Sequence, residues 1–158
     1  MILLSTLLQG IAYRKAVGAT DIAIGSLTYD SRTATAGSCF FATVGTQSDG
    51  HDYIAAAVEA GASAVVCERL PEGDLPCGCT FIVAENSSTA MAVMAANFYG
   101  NPSRRMKVVG VTGTNGKTTV ATLLYDLFRA LGHKAGLIST VVYKIDEREI
   151  ASTHTTPD

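Results

Sequence analysis

Val108-Val-Gly-Val-Thr-Gly-Thr-Asn-Gly-Lys-Thr-Thr-Val120 is the stretch that decides the fold class. A β-branched apolar run passes through Gly113-Thr-Asn-Gly116-Lys117-Thr118 into an amphipathic segment whose spacing predicts a helix from about Lys117 to Leu131. A strand, a glycine-rich turn and a helix in that order are the parts of a nucleotide phosphate loop, which sits on a parallel α/β sheet. Glycines let backbone N–H groups converge on an anion, and the helix N-terminus adds the positive end of its dipole. Lys117 supplies a mobile cation for the β and γ oxygens, and the Thr118 hydroxyl is placed to meet Mg²⁺. The spacing is not the strict G-x-x-x-x-G-K-[ST]: Val111 stands five places before Gly116, and Gly110 is one place too early. The plainer reading is a glycine-rich turn with an exposed lysine. The strand and helix in register on either side favour phosphate binding.

On both sides of this loop the pattern continues as α/β. Met106 to Val111 reads as a buried strand and Lys134 to Ser139 as another, giving a βαβ unit with parallel strands. Val141-Val-Tyr-Lys-Ile and Glu149-Ile-Ala-Ser flank Asp146-Glu-Arg as a hairpin. One such unit is too little to cover both faces of a parallel sheet, so this second domain is expected to be truncated. Asn101-Pro-Ser-Arg-Arg105 is the expected linker, dividing the chain into domains 1–103 and 104–158.

Upstream, Leu3, Leu4, Leu7, Leu8 and Ile11 recur at helical spacing. Ser26–Asp30 and Cys39–Val44 read as strands. Tyr53–Ala60 reads as a helix stopped by Gly61, Ala64–Cys67 and Thr80–Val83 as strands, and Leu70–Gly78 as a breaker-rich loop. A helix from Ser87 or Ser88 to Gly100 presents Met91, Met94, Ala95 and Phe98 to a core. Asp49 is expected to cap the helix after it, Asp30 and Arg32 to support a turn, and His51 and His133 to pack or face solvent.

Composition narrows the partners. With 158 residues, 47 % hydrophobic and 16 % charged, the chain holds one ordinary domain or two small ones with ample core. Twelve Lys and Arg against fourteen Asp and Glu leave a formal charge of −2, so no net positive field draws the molecule to nucleic acid or anionic lipid. No apolar run approaches the roughly 20 residues of a membrane span, and the N-terminus lacks the basic region and cleavage site of a signal peptide. A cytoplasmic location is expected. Of Cys39, Cys67, Cys77 and Cys79, the only close pair has a one-residue gap, which favours buried or loop thiols over a metal site.

Val109-Gly-Val-Thr-Gly-Thr-Asn-Gly-Lys-Thr-Thr119 closely resembles the phosphate loop of the Mur ligases and folylpolyglutamate synthetases, which use this variant spacing. Tyr29-Asp-Ser-Arg32, Gly37-Ser-Cys-Phe-Phe-Ala42, Gly45-Thr-Gln-Ser-Asp-Gly-His-Asp-Tyr-Ile54 and Gly61-Ala-Ser-Ala-Val-Val66 resemble the UDP-binding domain of the MurE and MurF branches, which folylpolyglutamate synthetases lack. His154-Thr-Thr-Pro-Asp158 is similar to the substrate-contact segment of the MurE branch, with the MurF branch the close alternative.

The resemblance implies an ATP-dependent amide ligase of peptidoglycan precursor synthesis. ATP phosphorylates the terminal carboxylate of UDP-N-acetylmuramoyl dipeptide, and the amine of a third amino acid, diaminopimelate or lysine, attacks the acyl phosphate. It also implies roles by matching position. Gly113, Thr114, Asn115, Gly116, Lys117, Thr118 and Thr119 hold ATP phosphate, with Lys117 catalytic and Thr118 on Mg²⁺. Tyr29, Ser31, Thr46, Gln47 and Ser48 meet the UDP-sugar, and His154, Thr155 and Thr156 the muramoyl dipeptide. Read without the resemblance, Ser31 caps a turn and Thr155 and Thr156 are tail residues. A P-loop hydrolase or kinase and a UDP-sugar binding module are the competing classes. The roughly 100 residues ahead of the loop favour a dedicated substrate domain over a kinase.

Overall fold

Ser38–Phe41, Ala64–Cys67 and Thr80–Ala84 are buried at every position, as strands must be when both faces of their sheet are covered. The computed structural model describes residues 1–45 and 48–151. Within them the chain forms two compact units, Met1–Met106 and Lys107–Asp158.

In the first unit the strands are β1 (Ile2–Leu3), β2 (Tyr13–Val17), β3 (Ala23–Ile24), β4 (Ser26–Thr28), β5 (Ser38–Phe41), β6 (Ala64–Cys67) and β7 (Thr80–Ala84). Its helices are α1 (Leu4–Leu7), α2 (Ile54–Glu59) and α3 (Ser87–Phe98). The main sheet runs β2-β7-β6-β5-β4, with β4 to β7 parallel and β2 antiparallel on the edge. This bears out an α/β fold with a parallel sheet. β1 and β3 form a small antiparallel pair, Ile2 opposite Ile24.

Side-chain alternation sends the strand residues into two cores. Cys39, Phe41, Ala64, Val66, Ile82 and Ala84 pack with Leu4, Leu7 and Leu8 and with Ala90 and Met94 of α3. Phe40, Val65, Cys67, Phe81 and Val83 pack on the other face with Ile54 and Ala57 of α2. The sheet is thus sandwiched between helices, and each large apolar side chain buried there stabilises the unit by ~1.5–3 kcal/mol. Asn97 ties the helices of one face together, its Nδ2 donating to the carbonyls of Leu7 and Gln9 at 2.9 Å each. Asn86 caps α3 by accepting the Thr89 N–H at 2.7 Å. Cys39, Cys67 and Cys79 are buried thiols and Cys77 is exposed. Burial pushes Cys67 and Cys79 up to about 11.

The strands expected at 26–30, 39–44, 64–67 and 80–83 and the helices at 53–60 and 87–100 are all present. The opening helix is a single turn, because Ile2–Leu3 leaves it to pair with β3. β2 was not foreseen: Tyr13, Arg14, Lys15 and Ala16 are exposed, so this edge strand carries little apolar signal.

The second unit holds α4 (Lys117–Ala130) and an antiparallel sheet of β8 (Gly136–Ile138), β9 (Val142–Ile145) and β10 (Arg148–Ala151), in the order β10-β9-β8. The helix and hairpin match the sequence reading. The strand expected at Met106–Val111 does not form, and the described residues of this unit contain no parallel βαβ pairing. Most of its residues are exposed, Val108 by 72 %, and no described strand lies alongside to ladder with them. β-branched residues favour strands only where a pleated, covered surface receives them. His133 packs on Phe128, ring centroids 5.9 Å apart.

Candidate functional site

In the first unit the polar residues gather where the parallel strands end. Ligands of open α/β sheets bind outside the carboxyl ends of the strands. Tyr29 to Arg32 follow β4, Ser48 to His51 follow the β5 end, Glu68 and Arg69 follow β6, and Asn86 and Ser87 follow β7. The structure therefore brings Tyr29, Ser31 and Ser48 to the ends of two adjacent strands. Thr46 and Gln47 lie outside the described residues, as do His154, Thr155 and Thr156.

The turn after β4 is heavily tied. Asp30 accepts Arg32 N–H at 2.9 Å and receives its guanidinium bidentately, Nε to Oδ1 at 2.9 Å and Nη2 to Oδ2 at 2.7 Å. The Thr28 and Thr33 hydroxyls meet at 2.6 Å. The Arg32 side chain, then its backbone N–H, hold the Asp30 carboxyl at about 2. Asp30 and Arg32 thus shape the backbone that presents Tyr29, 45 % exposed, and half-buried Ser31.

The loop after β5 holds what the sequence reading missed. Asp49 caps a 3₁₀ turn over Gly50–Tyr53, accepting His51 N–H at 2.9 Å. His51 does have a convergent carboxylate: its Nδ1 lies 2.6 Å from Asp49 Oδ1, and Arg69 Nη2 reaches Asp49 Oδ2 at 2.6 Å. Arg69, then His51, hold the Asp49 carboxyl well below the usual range. Glu68 turns its carboxylate to the start of α3, accepting from Ser87 N and Oγ at 2.9 Å each, and Ser87 N–H is the leading cause of its lowered pKa. Two signals were available: the Asp-x-His spacing of a capped turn, and polar Glu68-Arg69 directly after an all-apolar strand.

In the second unit Gly113 to Thr119 form the loop and first turn of α4. Gly116 is the N-cap with φ +77°, a conformation that favours glycine, and a Cβ there would meet open space. No side chain caps this helix and no acid stands in its first turn, so its leading N–H groups have no intrahelical or side-chain partner. Lys117 lies over the loop, Nζ donating to the Gly113 carbonyl at 2.5 Å and the Thr114 carbonyl at 3.2 Å. This donor set suits a phosphate chain. For a divalent cation the loop offers the half-buried Thr118 hydroxyl, and no group of three His, Cys, Asp or Glu gathers for a metal among the described residues.

A helix-covered parallel sheet in one unit and a glycine-capped, cationic helix start in the next define a two-unit α/β protein of the phosphate-loop kind. The model described as Mur ligase family, catalytic domain, matches residues 23–99, and that of the Mur ligase middle domain matches residues 111–158. The chain belongs to the Mur ligase family. It is 51 % identical over 141 residues to a protein of Cytophaga hutchinsonii, covering 89 % of this chain and 29 % of that one. It is 52 % identical over 155 residues to one of Bacteroides fragilis, covering 98 % and 32 %. Both relatives carry the name UDP-N-acetylmuramoyl-L-alanyl-D-glutamate--2,6-diaminopimelate ligase. The chain therefore spans about a third of their length. A solved structure of the MurF ligase from Thermotoga maritima in complex with ADP matches with a TM-score of 0.52 and 34 % identity, covering 66 % of this chain and 23 % of that one.

Proposed function

We propose that this chain supplies the UDP-sugar unit and the phosphate loop of a cytoplasmic, ATP-dependent amide ligase of the MurE branch, which joins diaminopimelate to UDP-N-acetylmuramoyl-L-alanyl-D-glutamate. The observation that carries this reading is the 52 % identity to a diaminopimelate ligase over 98 % of the chain. The MurF branch is the weaker match, at 34 % over two-thirds.

A carboxylate resists attack by an amine until one of its oxygens becomes a leaving group, so phosphoryl transfer must come before amide formation. The loop's task is to align and neutralise the phosphoryl group in transit. Backbone N–H groups at the start of α4 and the residues Gly113 to Thr119 hold the phosphates. Lys117 leaves its two carbonyl partners to follow the moving charge. The Thr118 hydroxyl would help to hold Mg²⁺, which when bound would neutralise phosphate charge. Tyr29, Ser31, Thr46, Gln47 and Ser48 hold the uridine end, while His154, Thr155 and Thr156 meet the muramoyl dipeptide.

Titration calorimetry with two ligands and two variants tests both halves. The chain is expected to bind UDP-N-acetylmuramoyl dipeptide and Mg²⁺-ADP. Ser31→Ala weakens the first by about 1 kcal/mol, the net worth of one hydrogen bond, and leaves the second alone. Lys117→Ala does the reverse, losing about 1.5–3 kcal/mol of ADP binding. Heat from neither ligand at millimolar concentration would overturn the assignment.

A further inference from the structure

The residues around His51 form a connected structure that no step of ligation uses. Its imidazole is 95 % buried by its side-chain exposure of 5 %. Nδ1 faces Asp49 Oδ1 at 2.6 Å, and Nε2 lies 2.9 Å from the Glu68 N–H. A backbone N–H only donates, so Nε2 is the acceptor and the ring proton sits on Nδ1, directed at the carboxylate. Asp49 receives Arg69 on its other oxygen. Beyond Glu68 the chain of bonds continues: Arg14 Nη2 of β2 donates to the Glu68 carbonyl at 3.0 Å, and the Glu68 carboxylate holds Ser87 at the start of α3. One line of hydrogen bonds thus crosses the carboxyl edge of the sheet from the β5 loop to β6, β2 and α3.

This line ends beside Gly45 and Ser48. Gly45 N–H donates to the Ser48 carbonyl at 2.9 Å, Val44 and Asp49 form an antiparallel bridge, and Gly50 N–H donates to the Thr43 carbonyl at 2.8 Å. Asp49 pairs with Val44 through its backbone and with Arg69, next to β6, through its side chain. Gly50 seals the arrangement, because a Cβ there would stand 2.7 Å from both the N and the O of Thr43.

We propose that His51 and Arg69 are positioning residues for the UDP-sugar: together they clamp Asp49 to the end of β6 and so hold its neighbour Ser48 ready for the ligand. This rests on the reading of Ser48 as a uridine-side contact. A contact residue held in place before binding need not be placed by the ligand, so the clamp raises affinity without touching it. The alternative, that His51 only fills space in the fold, predicts a change in melting temperature and none in a ligand-binding constant measured on folded protein.

The test uses the chain with Arg69→Met, His51→Ala, His51→Gln and, as a contact control, Ser31→Ala. Arg69 is largely exposed, so its variant is expected to fold even where His51→Ala does not. Gln places an amide oxygen near the position of Nε2 and retains the bond to Glu68 N–H. Calorimetry reads the affinity for UDP-N-acetylmuramoyl dipeptide, and amide hydrogen exchange without ligand reads Gly45 and Gly50. Arg69→Met and His51→Ala should weaken binding about 5- to 20-fold and quicken exchange at both glycines, with His51→Gln restoring most of each. Ser31→Ala should weaken binding with exchange unchanged. If Ser31→Ala weakens binding while Arg69→Met matches the parent in both readouts, the clamp is wrong and the UDP-sugar reading stands. A parent chain that binds no UDP-N-acetylmuramoyl dipeptide overturns both.

Discussion

Asp30 shows how one carboxylate sets the shape of the candidate uridine side. The carboxylate's bonds all run to Arg32, two positions on, so the turn closes on itself around half-buried Ser31. The Arg32 guanidinium and N–H favour the ionised form and hold the folded pKa at about 2, below the roughly 3.9 of an unfolded aspartate. A depressed folded value means that ionised Asp30 stabilises the turn fully above the unfolded pKa. That contribution is lost as pH falls from about 4 towards about 2. Carboxyl NMR of the chain should show Asp30 titrating near 2, moving towards 4 in Arg32→Met. A midpoint near 4 in the parent would mean the pair is not formed in solution. Asp30 and Arg32 were legible as turn residues from their spacing alone. The place of His51 was not, because Glu68, whose N–H its Nε2 accepts, is 17 positions away and meets it only once β5 and β6 lie side by side.

At the scale of elements, legibility followed burial. β5, β6 and β7 are buried throughout and mostly apolar, with Gly or Pro nearby in the flanking turns, so their positions were readable to within three residues. β2 escaped because an edge strand needs no apolar pattern, and Met106–Val111 misled because it has the pattern without a neighbouring strand to receive it. Helix ends were readable where one residue type is required. Gly61 ends α2 at φ +105°, and a Cβ there would come within 3.1 Å of the Ala36 backbone nitrogen. Gly61→Ala therefore combines a left-handed alanine with a backbone clash and should destabilise the first unit by about 2 kcal/mol. Urea unfolding followed by far-UV circular dichroism measures it; a change below about 0.5 kcal/mol would mean the turn between α2 and β6 relaxes freely.

The two units differ in how much of themselves they bury. The first has continuous cores on both faces of its sheet, with Leu4, Leu7, Phe40, Phe41, Phe81, Ile82 and Met94 almost wholly enclosed. In the second, Tyr125 and Leu137 are the buried hydrophobic residues among those described, while Val108, Val109, Leu123, Leu127, Leu131, Ile138 and Val141 are exposed. Hydrophobic burial is what offsets the ordering of a chain, at about 25 cal/mol for each Å² of apolar surface against about 1–2 kcal/mol for each ordered backbone residue. By that comparison α4 and its hairpin have little to hold them shut, and their amides open by local fluctuation at a small fraction of the free energy that guards β5 to β7. Hydrogen exchange followed by mass spectrometry should therefore find residues 107–151 exchanged within minutes at neutral pH while β5, β6, β7 and α3 stay protected for hours. Adding Mg²⁺-ADP should slow exchange in Gly113–Thr119 and the first turns of α4, since a ligand that binds only the closed form stabilises it by mass action. Slow exchange throughout α4 without nucleotide would show that the second unit has a stability its buried surface does not explain.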